Sequence, residues 1–355
     1  MKITDLKIWP LNLQLKKPFR IALGTNYAYE GVGVKIETNS EIYGWGEASP
    51  SAKITGETQA TAIDILTQMK SYFVGKNPLE IEAREYEMNH MIRGHSSAKA
   101  AIDVALYDIL GKCAKLPVRT LIGGDKDQIV TSVTIGIENR EETVKEAIKL
   151  VDEKVKIIKI KIGLDPPLDI ERIKAVRDAI GYDPVLRLDA NQGYSVKTAI
   201  KTLTALERYE IEFVEQPNYY RNLEGMAEIR RAVNIPLMAD ESIHDPADAL
   251  AVIRTKAADM INIKLMKSGG IMNGIKIANI SEAAGIPCMV GCMGETKIGI
   301  AAGLHLALAL RNIRYADLDG HLGLQSDPTQ GGIMIKEGIA YPSKGYGFGV
   351  SFVPP

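Results

Sequence analysis

Three acidic residues each close a short apolar run: Asp189 in Pro184-Val-Leu-Arg-Leu-Asp189, Glu215 in Glu212-Phe-Val-Glu215, and Asp240 in Pro236-Leu-Met-Ala-Asp240. A single acid after a strand is ordinarily a turn or cap residue. Three carboxylates meeting at one point are another matter, because they repel and one is driven to protonate unless a cation neutralises them. An all-oxygen set open to water and ligand suits Mg²⁺ better than zinc. Two further runs carry lysines, Lys159 and Lys161 in Lys156-Ile-Ile-Lys-Ile-Lys-Ile162 and Lys264 in Met260-Ile-Asn-Ile-Lys264. Lys159 and Lys161 stand at i and i+2, on one face of a strand. A buried lysine is costly unless paired or used. A second positive charge and burial are expected to lower its pKa, which makes it a usable base near neutral pH.

The elements that must hold these groups follow from their spacing. The runs at 129–135, 156–162, 184–189, 212–215, 236–240, 260–264, 287–290 and 314–319 alternate with helical patterns such as 142–151 and 170–180. Their polar ends are Thr134, Lys161, Asp189, Glu215, Asp240, Lys264, Cys292 and Asp319, separated by 27, 28, 26, 25, 24, 28 and 27 residues. Equal βα units of this kind predict an α/β chain whose residues 126–320 form a (β/α)8, modified TIM-type, barrel. An open doubly wound sheet would have fewer equal units and a Gly-x-Gly-x-x-Gly after a strand, and none is present.

In such a barrel the active site lies at the C-terminal strand ends. The acids of strands 3, 4 and 5 then share one wall, with Lys161 on strand 2 and Lys264 on strand 6 facing each other. A carboxylate ligand held by the cation would place its α-carbon between two lysines, one able to remove a proton and the other to return one to the opposite face. Asp317-Leu-Asp319 puts two carboxylates on one face of strand 8. They suit a cationic group such as the free amine of a peptide; the plain alternative is an Asp-Gly turn at Asp319-Gly320. Thr134 at the end of strand 1 and Met293 in the 291–297 loop are further candidates to line the pocket.

Residues 1–50 alternate in the β manner, with Val32, Val34 and Ile36 on one face and a turn at Asn39-Ser40, and 55–115 turns helical, as at 98–113. Residues 1–125 are therefore expected to form an α+β capping domain, with 321–355 packing back on it. The 355 residues carry 43 Lys+Arg against 44 Asp+Glu, a net charge of −1, which argues against nucleic acid or an acidic membrane as the main partner. The nearly apolar run 298–310 has 13 residues and contains His305, short of the roughly 20 that span a bilayer. No signal-type segment opens the chain, and Cys113, Cys288 and Cys292 suggest neither a disulfide framework nor a zinc cage. The expected setting is cytoplasmic, with a small-molecule substrate and with homo-oligomerisation left open.

Gly44-Trp-Gly-Glu-Ala-Ser-Pro50, Lys159-Ile-Lys161, Asp189-Ala-Asn191, Glu215-Gln-Pro217, Ala239-Asp-Glu241, and Lys264 with Gly269-Gly270 occur in one order along nearly the whole chain. Together they resemble the muconate-lactonizing subgroup of the enolase superfamily and, within it, the dipeptide epimerases. The resemblance implies a Mg²⁺-dependent 1,1-proton transfer at the α-carbon of a dipeptide's C-terminal residue. Lys161 and Lys264 would be the two bases, Lys159 an electrostatic helper, and Asn191 and Glu241 supports for the metal ligands. Asp317-Leu-Asp319 is similar to the signature that separates dipeptide epimerases from cycloisomerases, o-succinylbenzoate synthases and N-acylamino acid racemases, which remain the alternatives. Capping-domain loops close over the mouth in this family, and Arg20, followed by the 24–33 loop, would fit an acidic side chain. The expected substrate is L-Ala-D/L-Glu, as in murein peptide metabolism, with another dipeptide specificity as the alternative and Arg20 then a solvated strand residue.

Overall fold

The computed structural model describes residues 1–353. The chain opens with a meander of β1 (Ile3–Ile21), β2 (Gly24–Thr38) and β3 (Tyr43–Ala48), antiparallel in the order β1-β2-β3. Val32, Val34 and Ile36 lie opposite Pro10, Ile8 and Leu6, and all three are buried, as their alternation requires. Helices α1 (Gln59–Phe73) and α3 (Ser96–Ala114) cover this sheet, α2 (Ile81–Met91) packs against α3, and the short α4 (Val118–Ile122) leads out of the domain. A Cβ on Gly44 or Gly46 would stand 2.0 Å or 1.9 Å from the carbonyl oxygens of Ala105 and Ala101. The Gly-Trp-Gly spacing thus lets α3 lie directly on the sheet backbone.

After β4 (Ile129–Val130) come eight parallel strands: β5 (Val133–Ile135), β6 (Ile157–Lys161), β7 (Val185–Asp189), β8 (Ile211–Glu215), β9 (Leu237–Ala239), β10 (Met260–Ile263), β11 (Cys288–Gly291) and β12 (Ile313–Asp317). They pair in chain order from β5 to β12. The ring closes through a Thr131–Ala316 bridge, with Ser132 N donating to Ala316 O at 3.2 Å and Leu318 N to Thr131 Oγ1 at 2.8 Å. The intervening helices are α5 (Arg140–Asp152), α6 (Pro166–Ile180), α7 (Val196–Leu206), α8 (Leu223–Ala232), α9 (Pro246–Thr255), α10 (Leu265–Ser268), α11 (Ile271–Ala283) and α12 (Lys297–Ala309). Asn139, Asp165, Ser195, Asn222, Asp245 and Thr296 cap α5 to α9 and α12 with their own side chains, and proline opens α6 and α9.

The strands differ from the sequence reading at two ends. The expected strand 129–135 is two: β4 pairs with β15 (Ile339–Pro342), while β5 pairs with β6. The run 314–319 leaves the sheet after Asp317, so Leu318 and Asp319 lead into a tight turn at Gly320–Gly323. In the tail, β13 (Thr329–Gly331) pairs with β16 (Val350–Phe352), and β14 (Ile333–Lys336) with β15. Phe352 packs edge-on against Trp45 at 5.1 Å and Trp9 at 6.2 Å, which ties the tail to the meander.

The barrel interior is apolar below and charged above. Phe213, Met238, Met260 and Met289 form a buried cluster beneath the mouth, with Tyr315 packed against it. The Arg187 guanidinium stacks over Phe213 and Tyr315 at 4.9 and 5.4 Å and donates to Ala316 O at 3.0 Å. Among the described residues no helix is long and apolar enough to cross a membrane.

Candidate active site

The period-2 geometry of each strand sends one residue near its end, and the one two before it, into the barrel. On adjacent β7, β8 and β9 this brings one carboxylate oxygen each of Asp189, Glu215 and Asp240 within 4.8 Å of one another, all three residues fully buried. Lys159 Nζ lies 2.7 Å from Glu215 Oε2, 2.7 Å from Asp317 Oδ2 and 3.0 Å from Asp189 Oδ2. Lys161 Nζ is 2.6 Å from Asp189 Oδ2, and Lys264 Nζ is 2.7 Å from Asp240 Oδ2. Sheet order places β6 and β10 four strands apart, so Lys161 and Lys264 approach the acid cluster from opposite sides.

A divalent cation fits this cluster. The donors are carboxylate oxygens, and the buried Asn191 Oδ1 and Glu241 Oε2 have no hydrogen-bond partner among the described residues. Asn191 and Glu241 are joined, Asn191 Nδ2 donating to Glu241 Oε1 at 3.1 Å, and Asn191 N donates to Asp189 Oδ1 at 2.9 Å. Burial and the neighbouring Asp189 raise Glu215 to about 7; burial and Asp240 raise Glu241 to about 8. Burial also opposes ionisation of Asp189 and Asp240, but Lys159 and Lys161 hold the first below its ordinary value, and Lys264 and Lys267 the second.

One expectation is corrected here. Burial lowers Lys159 and Lys264, but the carboxylates around them outweigh it, and both stand above the ordinary lysine value. Opposite charges at hydrogen-bond distance dominate a like charge farther off. Asp317 and Asp319 also part company. Asp317 is buried, bound to Lys159 and to Ser132 Oγ at 2.6 Å, and held low by Lys159 despite burial. Asp319 is half-buried, accepts from Thr134 N at 2.6 Å, and is raised to about 6 by burial and by Asp317.

Thr134 and Met293 are half-buried at the same end of the barrel, where Thr134 Oγ1 is 3.5 Å from Asp317 Oδ1 and Met293 N donates to Glu295 Oε1 at 2.8 Å. Arg20 lies in the segment that crosses the barrel mouth: its carbonyl accepts from Ile137 N at 2.8 Å, while a Cβ on Gly163 would meet Ala22 at 3.1 Å. Its side chain is exposed and has no ion-pair partner among the described residues, whereas Phe19, Ile21, Ala22 and Leu23 around it are half-buried.

The site also holds groups that the sequence reading passed over. Asn262 Nδ2 donates to Glu215 Oε1 at 2.7 Å. Lys267, fully buried, donates to the carbonyl of Asp240 and to its Oδ1 at 2.6 Å. Asn262 and Ser132 precede Lys264 and Thr134 by two residues, so the rule that paired Lys159 with Lys161 would have found them. Lys267 follows in a helical turn and has no such signal.

Comparison with known proteins agrees with this architecture. Residues 3–123 match the "Mandelate racemase / muconate lactonizing enzyme, N-terminal domain" and residues 142–354 the "Enolase C-terminal domain-like" family. The chain is 42% identical to the hydrophobic dipeptide epimerase of Enterococcus faecalis over 95% of each chain. It is also 42% identical to the L-Ala-D/L-Glu epimerase of Clostridium acetobutylicum over 94% of each. The crystal structure of the Enterococcus faecalis dipeptide epimerase with Mg and L-Leu-L-Tyr superposes with a TM-score of 0.97 at 42% identity, covering 99% of this chain and 100% of that one. By domain order, extent of match and barrel geometry, the chain belongs to the mandelate racemase/muconate lactonizing enzyme family of the enolase superfamily.

Proposed function

We propose that the protein is a Mg²⁺-dependent dipeptide epimerase that moves a proton between the two faces of the α-carbon of a dipeptide's C-terminal residue. The observation that carries this reading is the pair of lysines, Lys161 and Lys264, reaching the acid cluster from opposite walls of the barrel. Asp189, Glu215 and Asp240 would hold the Mg²⁺, which when bound supplies positive charge to the substrate carboxylate and relieves the repulsion among the three acids. One lysine takes the α-proton and the other donates to the opposite face. Lys159 adds positive charge beneath the site and favours the ionised forms of Asp189 and Glu215 against burial and their mutual repulsion. Asp319, with Asp317 behind it, offers the negative end for the substrate's free ammonium. The substrates of the racemase, synthase and cycloisomerase alternatives offer no free ammonium at that place, which disfavours those readings.

For the side chain at the reacting centre we propose an acidic residue, as in L-Ala-D/L-Glu, with Arg20 swinging its unpaired guanidinium onto it. A second reading, a hydrophobic side chain, is favoured by the half-buried Phe19, Ile21, Ala22 and Leu23 of the same segment. Relatives at equal identity bear both names.

The test is incubation in D₂O with Mg²⁺ of L-Ala-L-Glu, of hydrophobic dipeptides and of N-succinyl amino acids, each followed by mass and chiral analysis. Deuterium at the α-carbon with inversion in the free dipeptides is the expected result. Uptake confined to the acylated compounds would overturn the dipeptide reading. Arg20→Ala separates the two side-chain readings, since loss of L-Ala-L-Glu turnover alone requires the acidic one.

A further inference from the structure

The turn that carries Lys264 is held by the other domain. Lys264 ends β10, α10 follows, and Gly269-Gly270 lead into α11. The first N–H groups of a helix need acceptors from outside it. Six barrel helices find them in their own preceding side chain. At α11 the cap position is Gly270, with φ +123° and no side chain to offer. Its acceptor is Asp103, from the middle of α3 in the capping domain. Asp103 Oδ1 accepts from Ile271 N at 2.5 Å, and Oδ2 from Met272 N at 3.4 Å. Asp103 is fully buried, and a Cβ on Gly270 would lie 2.2 Å from its Oδ1, so glycine is required for the approach.

A second capping-domain carboxylate acts on the same turn. Glu85 Oε1, on α2, accepts from Asn273 Nδ2 at 2.9 Å, and that amide also donates to Ser268 O at 2.8 Å. From Lys264 to Gly270 the backbone is tied to itself, Ser268 N to Lys264 O at 3.0 Å and Gly270 N to Leu265 O at 3.0 Å. A displacement of the α11 start is therefore passed back to Lys264. Lys161 ends β6, inside a ladder with β5 and β7; among the described residues its ammonium bonds to Asp189 and its carbonyl accepts from Arg172, both in the barrel domain.

We propose that Asp103 is a positioning residue for Lys264: the capping domain sets the place of one of the two bases and leaves the other to the barrel. The proposal rests on the reading of Lys161 and Lys264 as the bases, and the experiment keeps the two apart. Exchange of the α-proton with D₂O is measured at early times, with Mg²⁺, for each epimer of a turned-over dipeptide separately. Lys264→Ala identifies the epimer whose proton faces Lys264, since Lys161 can still exchange the other without inverting it. Asp103→Asn, Asp103→Ala and Gly270→Ala are expected to slow that same epimer by ~10- to ~100-fold, as small misplacements of a catalytic group do, and to leave the other within ~2-fold.

Equal losses for both epimers overturn the proposal, because a loosened fold or a weakened metal site would act on both faces; so does an absence of loss in all three variants. Mg²⁺ affinity is measured alongside by calorimetry, because Lys267 of the same turn donates to Asp240; a loss of affinity large enough to account for the slowed exchange overturns the proposal. Asp103→Asn keeps the shape and one acceptor, which guards against outright misfolding, and Gly270→Ala displaces the carboxylate from the other side. If the unaltered protein exchanges no dipeptide α-proton, the assignment of the two bases fails and this proposal falls with it.

Discussion

Lys159→Met isolates the electrostatics of the site from its chemistry. The Lys159 ammonium is buried against three carboxylates at 2.7, 2.7 and 3.0 Å. Coulomb's law at an effective dielectric of about 20 gives about 6 kcal/mol for each contact. Desolvation of the ammonium and of its partners offsets most of this, and removing one member of a buried ion cluster typically costs about 3–5 kcal/mol. Methionine keeps the volume, so the loss is that of the charge. In EDTA, the urea midpoint of the variant should fall by the equivalent of about 3–5 kcal/mol.

Mg²⁺ should reverse part of this loss. Lys159 occupies Asp189 Oδ2 and Glu215 Oε2, oxygens of the acid cluster, so the variant should bind the cation more tightly than the parent. At about 100 times its Kd the cation returns about 2.7 kcal/mol. Calorimetric titration gives the affinity and urea melts with and without Mg²⁺ give the stability. A metal-free stability within ~0.5 kcal/mol of the parent, or a weakened Mg²⁺ affinity, would refute the reasoning.

Two other predictions concern pH. Burial and the Arg119 charge lower His305 to about 3 from 6.5. The unfolded chain therefore takes up a proton near 6.5 that the folded protein refuses, and stability falls as pH drops from 6.5 towards 3, by about 1.4 kcal/mol per pH unit from this residue. His305→Gln should flatten that slope in acid melts; an unchanged slope contradicts it. Asp319, raised to about 6, must be ionised to hold an ammonium, so kcat/KM for a free dipeptide should decline as pH falls below about 6. Asp319→Asn should abolish that limb and lower kcat/KM by a further ~30- to ~5000-fold, the ~2–5 kcal/mol of a lost buried charge contact; a retained limb would assign it to another group.

Much of the barrel was legible because its signals are local. Strand ends recur at intervals of 24–28 residues, caps precede helices, and side chains at i and i+2 share a face. Those facts alone put Lys159 beside Lys161 and aim Asp189, Glu215 and Asp240 at one mouth. They also hold the reading of β2, where Val32, Val34 and Ile36 alternate into the core. The error at 129–135 has the opposite origin: Ile129 and Val130 pair with a hairpin more than 200 residues later, and no local pattern reveals that partner.

What the tertiary structure decided is who stands next to whom once the ring is closed. Asp317 is apparent in the sequence as a carboxylate, but its union with Lys159, 158 residues earlier, depends on strands at opposite ends of the barrel sequence coming together. That pairing leaves Asp319 the more exposed of the two, and the same closure surrounds Lys159 and Lys264 with acids that raise both, although the spacing of Lys159 beside Lys161 predicted lowering within that pair. Asp103 is more distant still, a helix residue of one domain serving the first turn of a helix in the other. Residue type and period determine which groups can face a core, because backbone geometry repeats over a few residues. Partner identity, and with it the pKa and role of each charge, depends on distances of a few ångströms between segments far apart in the chain, which only the closed fold determines.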